Sequence, residues 1–351
     1  MTWVALTEEQ RMLSSTTARM VAANTPISGH ASGTGGDTRL VEQGQARLWE
    51  LLVSNGLVGL VIPERGDGAG GTTVDAALVV EQLARGLAPV PYLGTVLALG
   101  LLLTARPEGS EVAALLSGRP GCIVLESSLI ELSSSGIAVD VWPDALAVGL
   151  EDDEVSCATL GTRLDSVDLS RQLVRAEQAG DRCGSVSSES LLRWRALALA
   201  LVCADLVGTC AATLEGAVAH ACVREQFGHP VGSNQAVQQL CADRLVMVEG
   251  GRSIMWHAAW AVDELLPAQA LTIARVAKAY CAEMARGVCE AAIQVWGGLG
   301  MTWECPAHRY LRRALLDRQL FGDERVHLAS IAESRLSYRP VRERDLQEYR
   351  P

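Results

Sequence analysis

The sequence predicts a mainly α protein in three parts: a helical N-terminal domain over 1–118, a small β-domain over 119–185, and a C-terminal four-helix bundle over 186–351. Three observations carry this. Residues 189–226 lack proline and are rich in Ala and Leu. Between 119 and 185 short apolar runs alternate with Ser, Gly and Asp clusters, the punctuation of strands. From 235 onward apolar positions return at helical spacing.

The elements follow in order. Thr7-Glu8-Glu9-Gln10 opens a helix through Met12, Thr16 and Met20. Residues 39–55 place Leu40, Ala46, Leu48, Leu51 and Leu52 near helical spacing, and Asn55-Gly56 stops them. Thr73 reads as the N-cap of a helix through Leu78, Val79 and Leu83. Residues 86–105 carry no charged side chain, but Pro89, Pro91 and Gly100 leave too short an apolar core to span a bilayer, so a buried helix is expected. A short helix over 109–117 ends before Gly118. The runs Cys122–Leu125, Ala145–Val148 and Leu173-Val174 read as strands. In the bundle, Val237, Leu240, Cys241, Leu245 and Val248 mark one helix face, Pro267 starts the third helix in an acceptable first-turn position, and a fourth runs over 306–319.

Length and composition set limits. The 351 residues, 49% of them hydrophobic, allow two or three domains with a sizeable core. A net charge of −11 argues against nucleic acid or an anionic membrane face as the main partner. The ten cysteines show no CxxC pair or metal-ligand spacing. They are expected to be reduced, buried and inert in a cytoplasmic protein. The opening MTWVALTEEQ has no targeting pattern. His308 and His327 lack ligand-spaced partners, so no metal is expected.

Three motifs bear on chemistry. Gly66-x-Gly68-x-x-Gly71 matches a dinucleotide fingerprint, but a helix follows where a βαβ unit is needed, and 86–105 hold no Asp or Glu. It reads as a glycine-rich surface loop. Arg224-Glu225-Gln226-Phe227-Gly228 ends a long helix, with Pro230 close behind, and fixes a guanidinium beside an aromatic ring. A guanidinium presents bidentate donors suited to a diphosphate. Gln294-x-x-Gly297-Gly298-x-Gly300 ends another bundle helix, where glycines are either C-caps or bare backbone for a ligand to approach. Two such motifs on neighbouring helix ends point to one phosphate-bearing ligand.

Together, Arg224-x-x-Phe227-Gly228, Gln235, Gln294-x-x-Gly297-Gly298-x-Gly300 and Thr302-x-Glu304 resemble the acyl-CoA dehydrogenase family. Leu6–Gln10, Pro63-Glu64 with Gly70-Gly71, Asp75, Glu81 and Pro89–Pro91 extend the likeness, which is weakest over 119–185. The resemblance implies the acyl-CoA dehydrogenase fold and FAD, with one subunit's middle domain holding the flavin ring. The neighbour's Arg224 would then meet the pyrophosphate and Phe227 pack on the cofactor. Gln226, Gln235 and Gln294 would reach toward the same half, with Gly297 and Gly298 giving close backbone contact.

Two departures qualify this. The family's catalytic glutamate falls at one of two places, here Phe321 before Gly322 or Ala198 on the first bundle helix, and neither side chain can take a proton. The ring-side Thr-Glu-Pro and Trp-x-Thr-Asn runs are absent from 119–160; Glu126-Ser-Ser is the nearest remnant, and Ser133–Gly136 reads as a shortcut across a missing hairpin. The chain therefore resembles the short subunit of actinobacterial α2β2 enzymes that oxidise CoA esters of steroid side chains. That implies an acyl-CoA substrate and a catalytic partner subunit. Two alternatives stand beside it: a self-sufficient flavoenzyme with a displaced base such as Asp205 or Glu215, and a flavin-free scaffold. Asp243 and the Arg312-Arg313 pair read as ion pairs or solvated faces.

Overall fold

The computed structural model describes residues 5–25, 38–62 and 68–336. Pro63, Glu64 and Gly66 of the glycine-rich loop lie outside the described residues, as does the side chain of Leu40. The N-terminal helices are α1 (Glu8–Asn24), α2 (Thr38–Ser54), α3 (Thr73–Arg85), α4 (Tyr92–Ala105) and α5 (Ser110–Leu116). Thr7 caps α1 through a reciprocal pair of bonds with Gln10. The face it turns inward carries Thr17 and Val21, and Met12 is left exposed, unlike the Met12–Met20 face expected from the sequence. Thr72, not Thr73, caps α3 by a capping box with Asp75. Thr73 instead donates its backbone N–H and hydroxyl to Asp263 at 2.8 and 2.6 Å, which ties this domain to the bundle. Helix α4 is the expected buried apolar helix. A Cβ at Gly68 would stand 2.2 Å from the Ile62 carbonyl oxygen, so that glycine serves packing.

Five strands form a closed barrel in the order β1-β2-β5-β4-β3: β1 (Gly121–Leu125), β2 (Gly136–Val139), β3 (Leu146–Glu151), β4 (Glu154–Leu164) and β5 (Leu173–Ser185). Alternation divides β1 between two cores. Cys122 and Val124 join Ala138, Ala147, Val174 and Ala176 in a small interior cluster. Ile123 and Leu125 join the main hydrophobic core with the helices. Small interior residues are what a five-stranded barrel has room for. Strands β2 and β4 are not among the apolar runs singled out in the sequence. Gly136 opens β2 with a φ of +146°, and a Cβ there would meet the Leu125 carbonyl at 2.2 Å.

The bundle comprises α6 (Ser188–Val223), a two-residue hairpin β6 (Glu225–Gln226) and β7 (His229–Pro230), α7 (Gln235–Glu264), α8 (Pro267–Trp296), α9 (Ala307–Gln319) and α10 (Glu324–Leu336). The sequence anticipated the first four helices, α6 stopping at Val223 because the chain turns at Arg224, but not α10. Among the described residues α6 alone is long and apolar enough to cross a membrane, and 94% of its most apolar window is buried inside the protein. Alanines at 270, 274, 277, 282, 285 and 292 are buried along α8 and let the helices approach closely.

A buried ion cluster docks the barrel on the bundle. Asp205 of α6 receives a bidentate pair from Arg313 of α9 at 2.9 and 2.8 Å, and a third bond from Arg171 at 2.5 Å. Arg171, just before β5, also holds Asp140 at 2.9 Å and lies 3.4 Å from Asp317. Burial alone would raise the Asp205 carboxyl, but Arg313 and Arg171 hold it well below the usual carboxylate range. Burial pushes Asp317 far up despite Arg171, and the Asp205 charge adds to that.

Candidate functional site

Because α6, α7 and α8 are successive and antiparallel, the end of α6, the start of α7 and the end of α8 share one end of the bundle. Arg224, Gln226, Phe227, Gln235, Gln294, Gly297 and Gly298 all lie there, and all are exposed. Arg224 leaves the helix with ψ near 119°, and the hairpin closes as Val231 N–H donates to the Arg224 carbonyl at 2.8 Å. At the hairpin tip Phe227 and Gly228 both have positive φ, 54° and 83°, which a two-residue primed turn requires. A phenylalanine in that conformation is strained, and its ring is 97% exposed. The Arg224 guanidinium meets no acceptor among the described residues. Gln226 Nε2 donates only to the neighbouring Glu225 carbonyl.

The Gly297 loop is built alongside. His220, four residues before Arg224, stacks on Trp296, immediately before Gly297, with ring centroids 4.1 Å apart. That contact joins the two motifs, and sequence reading missed it although its partners flank both. Gly297 ends α8 at φ 62°, ψ −142°, a region open essentially to glycine alone. A Cβ at 228, 297 or 298 would meet nothing within 4 Å, so bare backbone here faces open space. Gly300 differs, since a Cβ there would press on the Ile293 carbonyl at 2.9 Å, making it a packing glycine.

The expected base positions lie at the other end. Ala198 is fully buried, and Phe321 is 8% exposed. Trp194, one turn before Ala198, meets Phe321 edge to face at 5.8 Å and donates its indole N–H to the Leu97 carbonyl. The 126–132 loop, where Glu126 was the remnant, folds onto the same place. Phe321 N–H donates to the Leu129 carbonyl at 2.7 Å, and Arg195 pairs with Glu131 at 2.6 Å. Among the described residues Glu131 is the one carboxylate lining the cleft beside Phe321. Trp194 also walls off a larger cleft between α4 and the start of α6, where Asp263 is engaged by Thr73.

Other candidates resolve structurally. Asp205 is locked in the ion cluster and offers no free lone pair to a substrate. Glu215 is exposed and pairs with Arg85 at 2.5 Å. Arg313 belongs to the buried cluster, while Arg312 reaches the Val167 carbonyl. Asp243 is exposed. No group of His, Cys, Asp and Glu among the described residues could hold a metal. The cysteines are free, and Cys222 is exposed rather than buried. Cys157 and Cys183 bring their sulfurs within 3.3 Å on β4 and β5.

Comparison with known proteins gives the family and the fold. Two family models match: acyl-CoA dehydrogenase N-terminal domain over residues 7–107, and acyl-CoA dehydrogenase C-terminal domain over 193–336. The chain is 32% identical to acyl-CoA dehydrogenase IpdE2 of Mycobacterium tuberculosis, over 91% of this chain and 94% of that protein. Among solved structures it is similar to the ChsE4-ChsE5 complex of Mycobacterium tuberculosis (TM-score 0.78, 23% identity, 96% of this chain and 99% of that one). It is also similar to a variant of the Tcur3481-Tcur3483 steroid ACAD (TM-score 0.78, 21% identity, 94% and 98%). These last two likenesses establish the fold. Acyl-CoA dehydrogenases are oxidoreductases acting on CoA thioesters with FAD as cofactor. The open glycines, unpaired guanidinium and uncovered phenyl ring at one bundle end fit the phosphate-bearing half of such a dinucleotide. By its two matched domains, its fold and its overall likeness to IpdE2, this chain belongs to the acyl-CoA dehydrogenase family.

Proposed function

We propose that this chain is the non-catalytic subunit of an FAD-dependent acyl-CoA dehydrogenase, lending half of a cofactor site to a partner that carries the glutamate. In this reading Arg224 binds the pyrophosphate, Phe227 packs on the cofactor, Gln226, Gln235 and Gln294 reach the adenosine half, and Gly297-Gly298 give backbone contact. FAD, when bound, supplies the acceptor for the hydride that leaves the β carbon of the thioester. The residues at 198 and 321 supply no base.

One observation carries the proposal: the Arg224 and Gly297-Gly298 motifs stand open, while the two expected base positions hold a buried alanine and a phenylalanine packed on Trp194, neither able to take a proton. A chain with that half-site and no base needs a neighbour that carries the glutamate. The exposed apolar surface of the bundle supports a neighbour. Leu214, Val218, Cys241, Leu245 and Val248 line an apolar groove between α6 and α7, and Val276, Tyr280 and Leu328 line another between α8 and α10. Contiguous exposed patches of this kind mark interfaces. The α2β2 arrangement and a steroid acyl group are the finer parts of the proposal; two relatives in fold support them, the ChsE4-ChsE5 complex by joining two different chains and the Tcur3481-Tcur3483 enzyme by being a steroid ACAD.

The test is co-expression with a longer homologue that has glutamate at the position of Ala198, followed by light-scattering mass and flavin absorbance. A hetero-oligomer with one FAD for every two chains is expected, and no turnover of any CoA thioester by this chain alone. A soluble homotetramer with one FAD per chain, turning over at about 1 s⁻¹ or more, would replace the proposal with a self-sufficient flavoenzyme. A complex that is active but retains full flavin affinity without this chain would leave it a scaffold.

A further inference from the structure

Positive charge gathers at the open end of a chain whose net charge is −11. The stretches that meet there, 217–242 and 291–303, contain one acid, Glu225, and it is exposed. Their bases are Arg224, His220 and His229; the start of α7 and the end of α8 add no charged group, only the Cys241 thiol beside Cys222 of α6. His229 is taken, its Nδ1 2.9 Å from the Ser233 hydroxyl. His220 is not. It lies in the last turn of α6, four residues before Arg224, and its carbonyl accepts the Arg224 backbone N–H at 2.8 Å. The half-buried imidazole stacks on Trp296 with 4.1 Å between centroids and 22° between planes, directly before the open Gly297-Gly298 backbone. A stack covers the face of an imidazole and leaves open the edge that carries both nitrogens. Neither nitrogen has a hydrogen-bond partner among the described residues, and Arg224 is the one charged group that acts on the ring.

We propose that His220 is a second cation of the dinucleotide site: it binds a phosphate beside Arg224 and takes up a proton from solvent as it does so, which couples FAD binding to pH. The inference rests on the reading that Arg224 and Gly297-Gly298 hold the cofactor's pyrophosphate. That group carries a negative charge on each phosphate, and one guanidinium answers one of them. A protonated imidazole donates from both nitrogens, and its bond to a phosphate is of the strong, charge-assisted kind. Without ligand the ring is held mostly neutral at pH 7, its pKa below the ordinary histidine value through burial and the Arg224 charge. A phosphate placed between the two bases replaces that repulsion with attraction, so the ring's pKa rises on binding. The C-terminus of α6 and the indole face of Trp296 favour the charged form as well. The phosphates of FAD are diesters and do not titrate near neutral pH, so the proton taken up belongs to the protein. Affinity therefore rises as pH falls through the histidine range.

The test is the FAD affinity of the assembled complex from about pH 6 to about pH 8.5, read by flavin fluorescence, with three forms of this chain. Wild type should bind roughly ten-fold tighter at the acid end, since each unit by which a ligand raises a pKa is worth a factor of ten in affinity. His220→Phe keeps an aromatic ring to stack on Trp296 and has nothing to protonate. Its profile should be flatter than the wild type's by that factor and should meet it at the alkaline end. A merely structural histidine would not change the slope. Arg224→Ala should weaken binding at every pH. Thermal melts at the acid end separate a loss of folding from a loss of binding. Equal slopes for wild type and His220→Phe, with Arg224→Ala still weak, would overturn the role of His220 and leave the cofactor reading in place. Affinity moved by neither substitution would overturn both.

Discussion

The two ends of the bundle are made from the same helices and obey opposite rules. At one end Phe227 stands on left-handed backbone with its ring in solvent, Arg224 has no partner among the described residues, and three glycines face empty space. Each is a local cost with no return inside the chain. At the other end Trp194 packs on Phe321 and the 126–132 loop is bonded down, and midway along α6 the Asp205 charge is answered by two arginines. Proteins break local rules chiefly at functional sites, and by that measure the open end is where the proposed cofactor half-site belongs. The closed end has been packed where its relatives would keep chemistry.

Bordering the closed end, midway along α6, the fold can be broken hardest at Asp205. Removing one partner of a buried ion pair leaves the others uncompensated and costs about 3–5 kcal/mol. Asp205→Ala should therefore lower unfolding stability by that much in urea melts, and Asp205→Asn by less, since the amide keeps an acceptor. If Asp205→Ala kept wild-type stability, the cluster would not be what holds the barrel to the bundle.

A pH scan reads the same end more gently. His327 has its folded pKa depressed to about 4, against about 6.5 when unfolded. The unfolded chain thus takes up the proton first as pH falls. The histidine's contribution is intact above pH 6.5 and is lost between 6.5 and 4, up to about 3 kcal/mol over the whole window. Asp317, with its carboxyl pushed up, acts in the opposite sense, favouring the folded state as pH falls from its raised value toward the ordinary carboxylate range. The difference between wild type and His327→Gln isolates the histidine, and it should shrink steadily from pH 6.5 to pH 4. A difference independent of pH would mean the ring is charged or solvated in the folded state.

The open end was legible in the sequence because its signals are local. Arg224, Phe227 and Gly228 are consecutive or nearly so, and glycine at 297 is demanded by backbone angles a reader can anticipate at a helix end. The long helices were legible for the same reason, as periodicity over some 30 residues leaves little ambiguity. The closed end was not. Asp205 draws its partners from Arg171 and Arg313, 34 and 108 positions away, and nothing near Asp205 announces them. Strand β4 escaped notice because its outer half is exposed and its pattern is broken by bulges against β5. Helix α10 escaped because only Glu324 and His327 are buried on it; both are polar, so no apolar stripe marks the element.

At the open end, Arg224→Ala should weaken FAD retention by the assembled complex by roughly ten- to a hundred-fold, the equivalent of about 1.5–3 kcal/mol. Its unfolding midpoint should hardly move, since the guanidinium is exposed and holds no hydrogen bond or ion pair among the described residues. Fluorescence of released flavin on dilution measures the first, and a thermal melt the second. Unchanged flavin affinity would make the motif a relic of an ancestral site.

The finest test is a single methyl group at Gly298. The neighbouring Gly297 is confounded, because its φ of 62° would strain any side chain whether or not a ligand is present. Gly298 has no positive φ, and a Cβ there meets nothing within 4 Å. Alanine costs less backbone entropy than glycine on folding, so Gly298→Ala should leave stability within about 0.5 kcal/mol of wild type or raise it slightly. The same methyl would stand in the space through which a phosphate reaches the loop backbone. Flavin binding by the assembled complex should therefore fall several-fold in a variant that is at least as stable as the parent. Stability and affinity moving in opposite directions is a result that packing alone cannot give. Gly298→Ala binding FAD as tightly as wild type would remove the Gly297-Gly298 loop from the cofactor site and leave Arg224 and Phe227 to account for it without help from α8.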